Sequence, residues 1–264
     1  MKRILHSLHG RIFGTTDRSE ILAPGGLLVG DYGSQFAMAA PDRVVNFDDF
    51  DGTAILGMWG VNKGSDGATV NFAVNAAQNG TIRATTGAGA GGTMAVNGVQ
   101  VNGSLNFKAS GDQVECNFRV KLSAIANLSC FLGFTNQVAA LQAPAIGTGG
   151  GNGVTFNAND CVGVLYDSTM TIADWWLVGN AATVNATTQD SLFAPVAATY
   201  DTWHISLTAA GVATFFRNGK QVGVAMAGAV TPGTLLAPTI TCFTRTAASQ
   251  TIDADYMYAA GLRV

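Results

Sequence analysis

The chain has 264 residues, of which 48% are apolar and 12% are charged, and its formal net charge is −3. The charged share is about half of the usual quarter for a soluble domain, and an acidic balance argues against a nucleic-acid partner. No apolar run approaches the length of a membrane span, so we also expect no membrane partner. The low charge has two explanations: a surface rich in Gly, Ala and Thr, or a surface covered by other protein.

The first 41 residues are predicted to form an extended N-terminal arm and linker, separate from a β-sandwich domain at residues 42–264. Basic residues are concentrated at the start of the chain, and Pro24, Gly25 and Gly26 interrupt the apolar stretch 21–30. A basic arm on an acidic body is a common device for docking on a larger partner; the plainer interpretation is a terminal segment without function. The residues predicted to contact a partner or a neighbouring subunit are Lys2, Arg3, Ile4, Leu5, Arg11, Ile12, Phe13, Leu27 and Leu28.

From about residue 42, strand and turn patterns follow one another to the end of the chain. The clearest strand is residues 113–122, in which apolar and polar side chains alternate strictly, as in a strand with one buried and one wet face. Residues 201–208 and 212–217 read as a hairpin, and Asn218-Gly219 as a tight turn into the next strand. About a dozen such strands without a long amphipathic helix predict an all-β, antiparallel sandwich.

The cysteines and aspartates give no sign of a bound metal or cofactor, and we expect neither. The four cysteines are scattered without a paired spacing, so buried, reduced thiols are the favoured interpretation. Asp48, Asp49 and Asp51 have the oxygen ligands that calcium prefers, but aspartates that cap a turn are the more common case. The glycine-rich segment 147–153 lacks the Lys-Ser/Thr of a phosphate-binding loop and reads as a surface loop.

Three segments resemble the concanavalin A-like (laminin-G-like) jelly-roll superfamily. They are the hairpin at residues 202–222 with its Trp-His strand and Asn-Gly-Lys turn, the closing strand 252–258 with its Asp-Tyr core, and the opening strand 47–50. The resemblance implies a concanavalin A-like, antiparallel jelly-roll sandwich. Lectins, glycan hydrolases, adhesion modules and virion proteins share that fold, so it does not name a function.

The resemblance also allows a test for catalysis. Hydrolases of this superfamily carry a Glu-x-Asp-x-x-Glu arrangement on one strand, and hydrolysis of this kind needs two positioned carboxylates. Here Asn117, two positions after Glu115, stands where the motif has its aspartate, and the strand has no second glutamate. Asp253 and Asp255 lie on the terminal strand, where the family's aspartate has a structural role, and His204 reads as a strand-surface histidine. We therefore expect that the chain is not an enzyme.

The chain as a whole resembles a structural protein of tailed bacteriophages, of the capsid cement or decoration type. This resemblance implies a place on the capsid surface of the virion, the major capsid protein as partner, and a homo-oligomer, expected to be a trimer. The alternative is a lectin-like, carbohydrate-binding module on a phage tail or fibre. One of the adjacent Trp175 and Trp176 must point outward from a regular strand, and an exposed Trp suits either a glycan or a subunit interface.

Overall fold

The computed structural model describes residues 43–50, 55–66, 71–75, 80–90 and 92–262. The predicted N-terminal arm, residues 1–41, lies outside the described residues, and so do all of its predicted contact residues: Lys2, Arg3, Ile4, Leu5, Arg11, Ile12, Phe13, Leu27 and Leu28. The arm and its contacts therefore stay predictions.

The described residues form eighteen strands, one helical turn and one 3₁₀ turn. The strands are β1 (Arg43–Asp48), β2 (Gly60–Lys63), β3 (Asn71–Asn75), β4 (Thr81–Thr85), β5 (Val99–Asn102), β6 (Val114–Leu122), β7 (Leu128–Thr135), β8 (Ala145–Gly147), β9 (Val154–Phe156), β10 (Cys161–Asp167), β11 (Trp175–Ala181), β12 (Val184–Asn185), β13 (Gln189–Asp190), β14 (Tyr200–Leu207), β15 (Ala213–Arg217), β16 (Lys220–Met226), β17 (Ala237–Thr244) and β18 (Thr251–Leu262). The helical turn α1 is Met94–Asn97, and the 3₁₀ turn is Ala109–Gly111.

Two eight-stranded antiparallel sheets face each other. The front sheet has the order β16-β15-β14-β6-β18-β4-β3, and the back sheet has the order β12-β11-β10-β7-β17-β5-β2, with β13 also paired to β11. Strand β1 pairs with the second half of β18, while β4 pairs with its first half. The remaining hairpin, β8–β9, forms a small sheet of its own. This arrangement confirms the predicted all-β, antiparallel jelly-roll sandwich.

The front sheet has one buried and one wet face, as the alternation in β6 predicts. From Val114 to Leu122 every second residue of β6 is buried, and β14 shows the same alternation. The inward side chains of both sheets form one core, in which the Trp203 ring of the front sheet meets the Trp175 ring of the back sheet edge-on at 5.7 Å. Each large side chain buried in this way stabilises the fold by roughly 1.5–3 kcal/mol.

The back sheet is buried on both faces. All residues of β7, β10 and β17 are buried, so burial does not alternate along these strands, although β17 also buries Thr239, Thr241 and Thr244. On its outer face a second apolar cluster forms beneath the β8–β9 hairpin, with Phe131, Leu165 and Trp176 from the sheet and Ala145 from the hairpin. The outer faces of the two sheets therefore differ. The β8–β9 hairpin covers that of the back sheet, whereas no described segment forms such a cluster on that of the front sheet.

At the β16 edge of the front sheet, a side-chain amide forms the backbone hydrogen bonds that a neighbouring strand would otherwise form. The Gln189 amide accepts a hydrogen bond from the Val224 backbone N–H at 2.8 Å and donates one to the Val224 carbonyl at 3.1 Å. The tight turn before β16 has Asn218 at φ 50° and Gly219 at φ 78°, and two consecutive positive φ values are those of the predicted hairpin turn.

The cysteines and the predicted turn aspartate behave as expected from the sequence. All four cysteines are buried and free, and burial raises the pKa of each thiol. Asp48 accepts hydrogen bonds from the backbone N–H groups of Phe50 and Leu56, so it caps the turn after β1. Asp51 lies outside the described residues. Within the described ranges, no helix has the length and apolarity to span a membrane.

Candidate functional site

The outer face of the front sheet carries a dense group of charged, polar and aromatic side chains. Because β14, β6 and β18 are neighbours, their outward residues fall into rows across the sheet. We call this surface the polar face; it comprises Tyr200, Thr202 and His204 from β14, Glu115, Asn117, Arg119 and Lys121 from β6, and Asp253, Asp255, Tyr256 and Tyr258 from β18. Only Asp253 among them is buried; the others are partly exposed.

The register of the ladders determines which of these side chains lie side by side. His204 lies opposite Asn117, which in turn lies opposite Tyr258. The next row along the strands contains Thr202, Arg119 and Tyr256, and the third contains Tyr200, Lys121 and Asp253. Successive rows are about 7 Å apart, since a strand rises about 3.3 Å per residue and faces alternate.

A β-bulge in β18 keeps its polar side chains on this face. Ala254 lies opposite Val120 and Tyr256 lies opposite Arg119, so Asp255 is an extra residue without a partner in the ladder. A bulge inserts one residue and resets the alternation of the strand. Asp255 and Tyr256 therefore both lie on the polar face, and the sequence pattern alone did not show this.

Glu115 is the centre of a hydrogen-bonded group in the polar face. Its Oε1 accepts a hydrogen bond from the Tyr258 hydroxyl at 3.0 Å, and its Oε2 lies 3.2 Å from His204 Nε2. Burial opposes ionisation of this carboxyl group, but the bonds to His204 and Tyr258 and the charge of Arg43 outweigh burial and hold the pKa of Glu115 below its ordinary value. Burial and the Glu115 charge raise the pKa of Tyr258. Glu115 is therefore ionised and Tyr258 protonated at neutral pH.

His204 is held in place from two sides. Its ring stacks on Phe216 with centroids 5.1 Å apart, and its Nε2 lies against Glu115. The ionised carboxylate accepts a hydrogen bond from Nε2–H, so in the neutral imidazole the lone pair lies on Nδ1. Nδ1 has no hydrogen-bond partner among the described residues, and the side chain is 30% exposed. The arrangement leaves one ring nitrogen available to a ligand.

The second and third rows of the polar face, together with the adjacent Arg83 of β4, form a network of ion pairs. Asp253 pairs with Arg83 from β4 at 2.6 Å and with Lys121 at 3.1 Å, and Asp255 pairs with Arg119. Burial of Asp253 opposes ionisation, but the two cations outweigh it and lower the pKa of this carboxyl. Its ionised state excludes Asp253 as a general acid.

Glu115 lies far along the strand from the aspartates of β18, and those two aspartates, Asp253 and Asp255, are each paired with cations. Asp255 pairs with Arg119, four residues along β6 from Glu115, which corresponds to about 13 Å along the strand. Glycoside hydrolases place their two carboxyl groups about 5–9.5 Å apart. His204 with Glu115 is an arrangement that the sequence alone did not reveal. The polar side of the alternating strand 113–122 was the signal that pointed to it.

The two tryptophans predicted as glycan or interface aromatics are not on the surface, which corrects the sequence analysis. Trp175 points into the sandwich core and is 0% exposed. Trp176 does point outward, but it is only 7% exposed because it belongs to the cluster beneath the β8–β9 hairpin. Its indole Nε1 donates a hydrogen bond to the Ile172 carbonyl. Neither ring can stack on a sugar or a partner in this structure.

Comparison with known proteins gives structural similarity alone. No protein-family model and no curated protein sequence match the chain. Among solved structures, it is similar to a Bacillus licheniformis β-glucanase (TM-score 0.54, 9% identity, covering 81% of this chain and 97% of the other). It is also similar to an endo-β-1,4-glucuronan lyase from Trichoderma reesei (0.54, 13%, 79% and 93%) and to an uncharacterized protein from Mycobacterium paratuberculosis (0.55, 11%, 80% and 98%).

These comparisons contradict the expectation that the chain is not an enzyme. The proteins with this architecture include a glycosidic hydrolase, the β-glucanase, the lyase and a transglycosylase. The expectation was wrong because it equated one missing carboxylate motif with an absence of catalysis, although a lyase and a transglycosylase are built on the same fold. Identities of 9–13% show the fold alone, so the reaction and the ligand of this chain are matters of proposal. The chain has the all-β, antiparallel jelly-roll sandwich fold that the β-glucanase also has.

Proposed function

We propose that the polar face binds a carbohydrate chain. The observation that supports this best is the row of His204, Asn117 and Tyr258, which combines aromatic rings with hydrogen-bonding groups on a partly exposed surface. Sugars offer apolar C–H faces and many hydroxyl groups, and binding sites match them with aromatic rings and a few fixed polar groups. The names of the similar structures, a β-glucanase and a glucuronan lyase, favour the same ligand class.

The polar groups of this face are already fixed before a ligand arrives. Tyr258 is bonded to Glu115, and the Tyr256 hydroxyl donates to Asn117 Oδ1 at 3.2 Å. Side chains that are held in one conformation lose less entropy on binding, so more of the interaction energy appears as affinity. These side chains are thus preorganised, which favours binding of a polysaccharide, a ligand whose individual sugar units each bind weakly.

A glycan array followed by calorimetry tests the proposal. We expect binding by the unaltered chain and at least a tenfold loss in Tyr256→Ala and in Asn117→Ala, which remove side chains of two adjacent rows. Thr155→Ala is the matched control, since Thr155 is exposed on β9, behind the back sheet. The proposal is refuted if no glycan binds, or if the control loses as much affinity as the two variants.

A second candidate function is proton transfer on the bound sugar, and the unpartnered Nδ1 of His204 favours it. Glu115 would orient the ring, a role that carboxylates take beside catalytic histidines. Incubation with the bound polysaccharide, with new reducing ends as readout, detects cleavage by any route. We expect loss of cleavage in His204→Gln at polysaccharide concentrations that saturate the variant; cleavage at an unchanged rate would remove His204 from the chemistry.

The role as a capsid cement protein on a phage virion stays a prediction. It depends on the N-terminal arm, which lies outside the described residues, and on a major capsid protein and a homotrimer that no contact here tests. Quantitative mass spectrometry of purified virus particles is the measurement that decides it. Hundreds of copies per particle would support a capsid coat, a handful would favour the tail or fibre, and complete absence would end the virion hypothesis.

A further inference from the structure

Arg119 and Lys121 of the polar face and the adjacent Arg83 of β4 reach the solvent, while their carboxylates lie beneath them. The side chains of Arg83, Arg119 and Lys121 are 43%, 39% and 29% exposed. Those of Asp253 and Asp255 are 4% and 19% exposed. A ligand that approaches this end of the face therefore meets the positive groups first, although the chain as a whole has a net charge of −3.

These cations are held in fixed positions. The Arg119 guanidinium lies over the Tyr200 ring at 4.2 Å from the centroid, and the Lys121 ammonium lies over the same ring at 4.9 Å. Each is anchored from the other side by an aspartate of β18. A cation that is stacked on a ring and paired with a carboxylate has little rotational freedom left to lose.

The anchored cations also keep unused donors. Arg83 uses Nε and Nη2 for Asp253, and Arg119 uses Nη1 for Asp255. A guanidinium has five N–H donors, so both arginines retain donors that no described residue accepts. Asp253 is buried, so its two cations also contribute to stability, whereas the Arg119–Asp255 pair is partly exposed, and pairs of that kind contribute little. The remaining N–H donors of Arg83 and Arg119 are therefore available to an incoming anion.

From these observations we infer that the carbohydrate bound by the polar face carries acidic groups, and that Arg119, Lys121 and Arg83 receive them. The inference rests on the proposed function, because it names the ligand class of that same face. The ligand chemistry is a sugar chain with carboxylate or sulfate groups, which a guanidinium binds with two parallel hydrogen bonds. The row with His204 and Tyr258 would then hold the neighbouring part of the chain.

Matched pairs of polysaccharides test the inference: dextran against dextran sulfate, and polygalacturonate against its methyl ester. We expect each charged member to bind at least tenfold more tightly than its neutral partner at 50 mM salt. This preference should shrink at 500 mM, because salt screens exposed charges. Preference for both charged chains supports general recognition of anions, and preference for one identifies the acidic group.

Variants separate this inference from the proposed function. Arg119→Gln and Lys121→Gln should each lose the preference for the charged chain, whereas Lys220→Gln, at the exposed β15–β16 turn, should keep it; thermal unfolding checks that all three are folded. Arg119→Lys should recover only part of the preference, since it restores the charge without the planar fork. If neutral glycans bind and charged ones have no advantage, the inference is overturned while the proposed function stands. If no polysaccharide binds, both are overturned.

Discussion

Deletion of Asp255 is the sharpest test of how β18 presents its side chains. Asp255 is the extra residue of the bulge, so its removal leaves Ala254 opposite Val120 and Tyr256 opposite Arg119, as they already are. The main loss is the partly exposed ion pair with Arg119, which contributes about 0–1 kcal/mol. For a domain of this size 1 kcal/mol corresponds to about 2–4 °C in Tm. We therefore expect a folded protein with a Tm no more than about 4 °C lower.

Deletion of Asn117 from β6 is the contrasting case. That strand has strict alternation along its whole length, so a missing residue turns one half of it over. Either Glu115 would then face the core in place of Cys116, or Arg119 and Lys121 would face it in place of Phe118 and Val120. An unpaired buried charge costs several kcal/mol, which is comparable with the whole stability of a domain, about 5–15 kcal/mol.

Thermal unfolding measures the Tm of the Asp255 deletion, and urea unfolding compares the stability of both deletions; circular dichroism follows both transitions. The reasoning is refuted if the Asp255 deletion unfolds the protein, or if the Asn117 deletion unfolds with the midpoint of the parent chain. Substitution of Asp255 by Ala is the control for the lost carboxylate. A large difference between this substitution and the deletion would show that the bulge itself stabilises the strand.

Three further predictions concern ion pairs and thiols. Arg245→Met should reduce the free energy of unfolding by about 3–5 kcal/mol, because it leaves the 0% exposed carboxylate of Asp167 without its cation; a loss below about 1 kcal/mol in urea unfolding would contradict this. Asp253 has a lowered pKa in the folded state, so its contribution is present above its ordinary pKa of about 4 and is lost as the pH falls through the lower folded value. The stability of Asp253→Asn should therefore depend less on pH below about 4 than that of the parent chain, and equal slopes would count against the network. The four buried cysteines should react with a maleimide only after unfolding, and rapid labelling of the native chain would contradict their burial.

The fold could be predicted from the sequence wherever one face of a strand is wet. Two local patterns correspond directly to the structure: the alternation in residues 113–122 forms β6, and Asn218-Gly219 forms the hairpin turn. Trp176 shows the limit of this reasoning. Its outward direction follows from strand geometry, but its burial depends on a hairpin twenty to thirty residues earlier in the chain, part of which read as a glycine-rich loop.

The candidate site was harder to predict because it depends on register. Glu115, His204 and Tyr258 come from three strands far apart in the chain, and only the pairing of β14, β6 and β18 brings them together. The bulge at Asp255 adds to the difficulty. Charged and aromatic residues occupy both odd and even positions of β18, so the sequence does not show where the inward and outward sides of the strand exchange. Pairing of distant strands and bulges are tertiary properties, and neither has a local sequence signal here.

The Gln189 amide at the edge of β16 limits how copies of this chain can assemble. An unpaired strand edge is a template for a strand of another molecule, and Val224, at 69% exposed, would be the natural point for such a contact. Because the amide already satisfies the N–H and C=O of Val224, a continuous sheet between two molecules would first have to displace it. Oligomers of this protein are therefore expected to join through side chains or other segments, and Gln189→Ala is the change that would open this edge to fibrous aggregation.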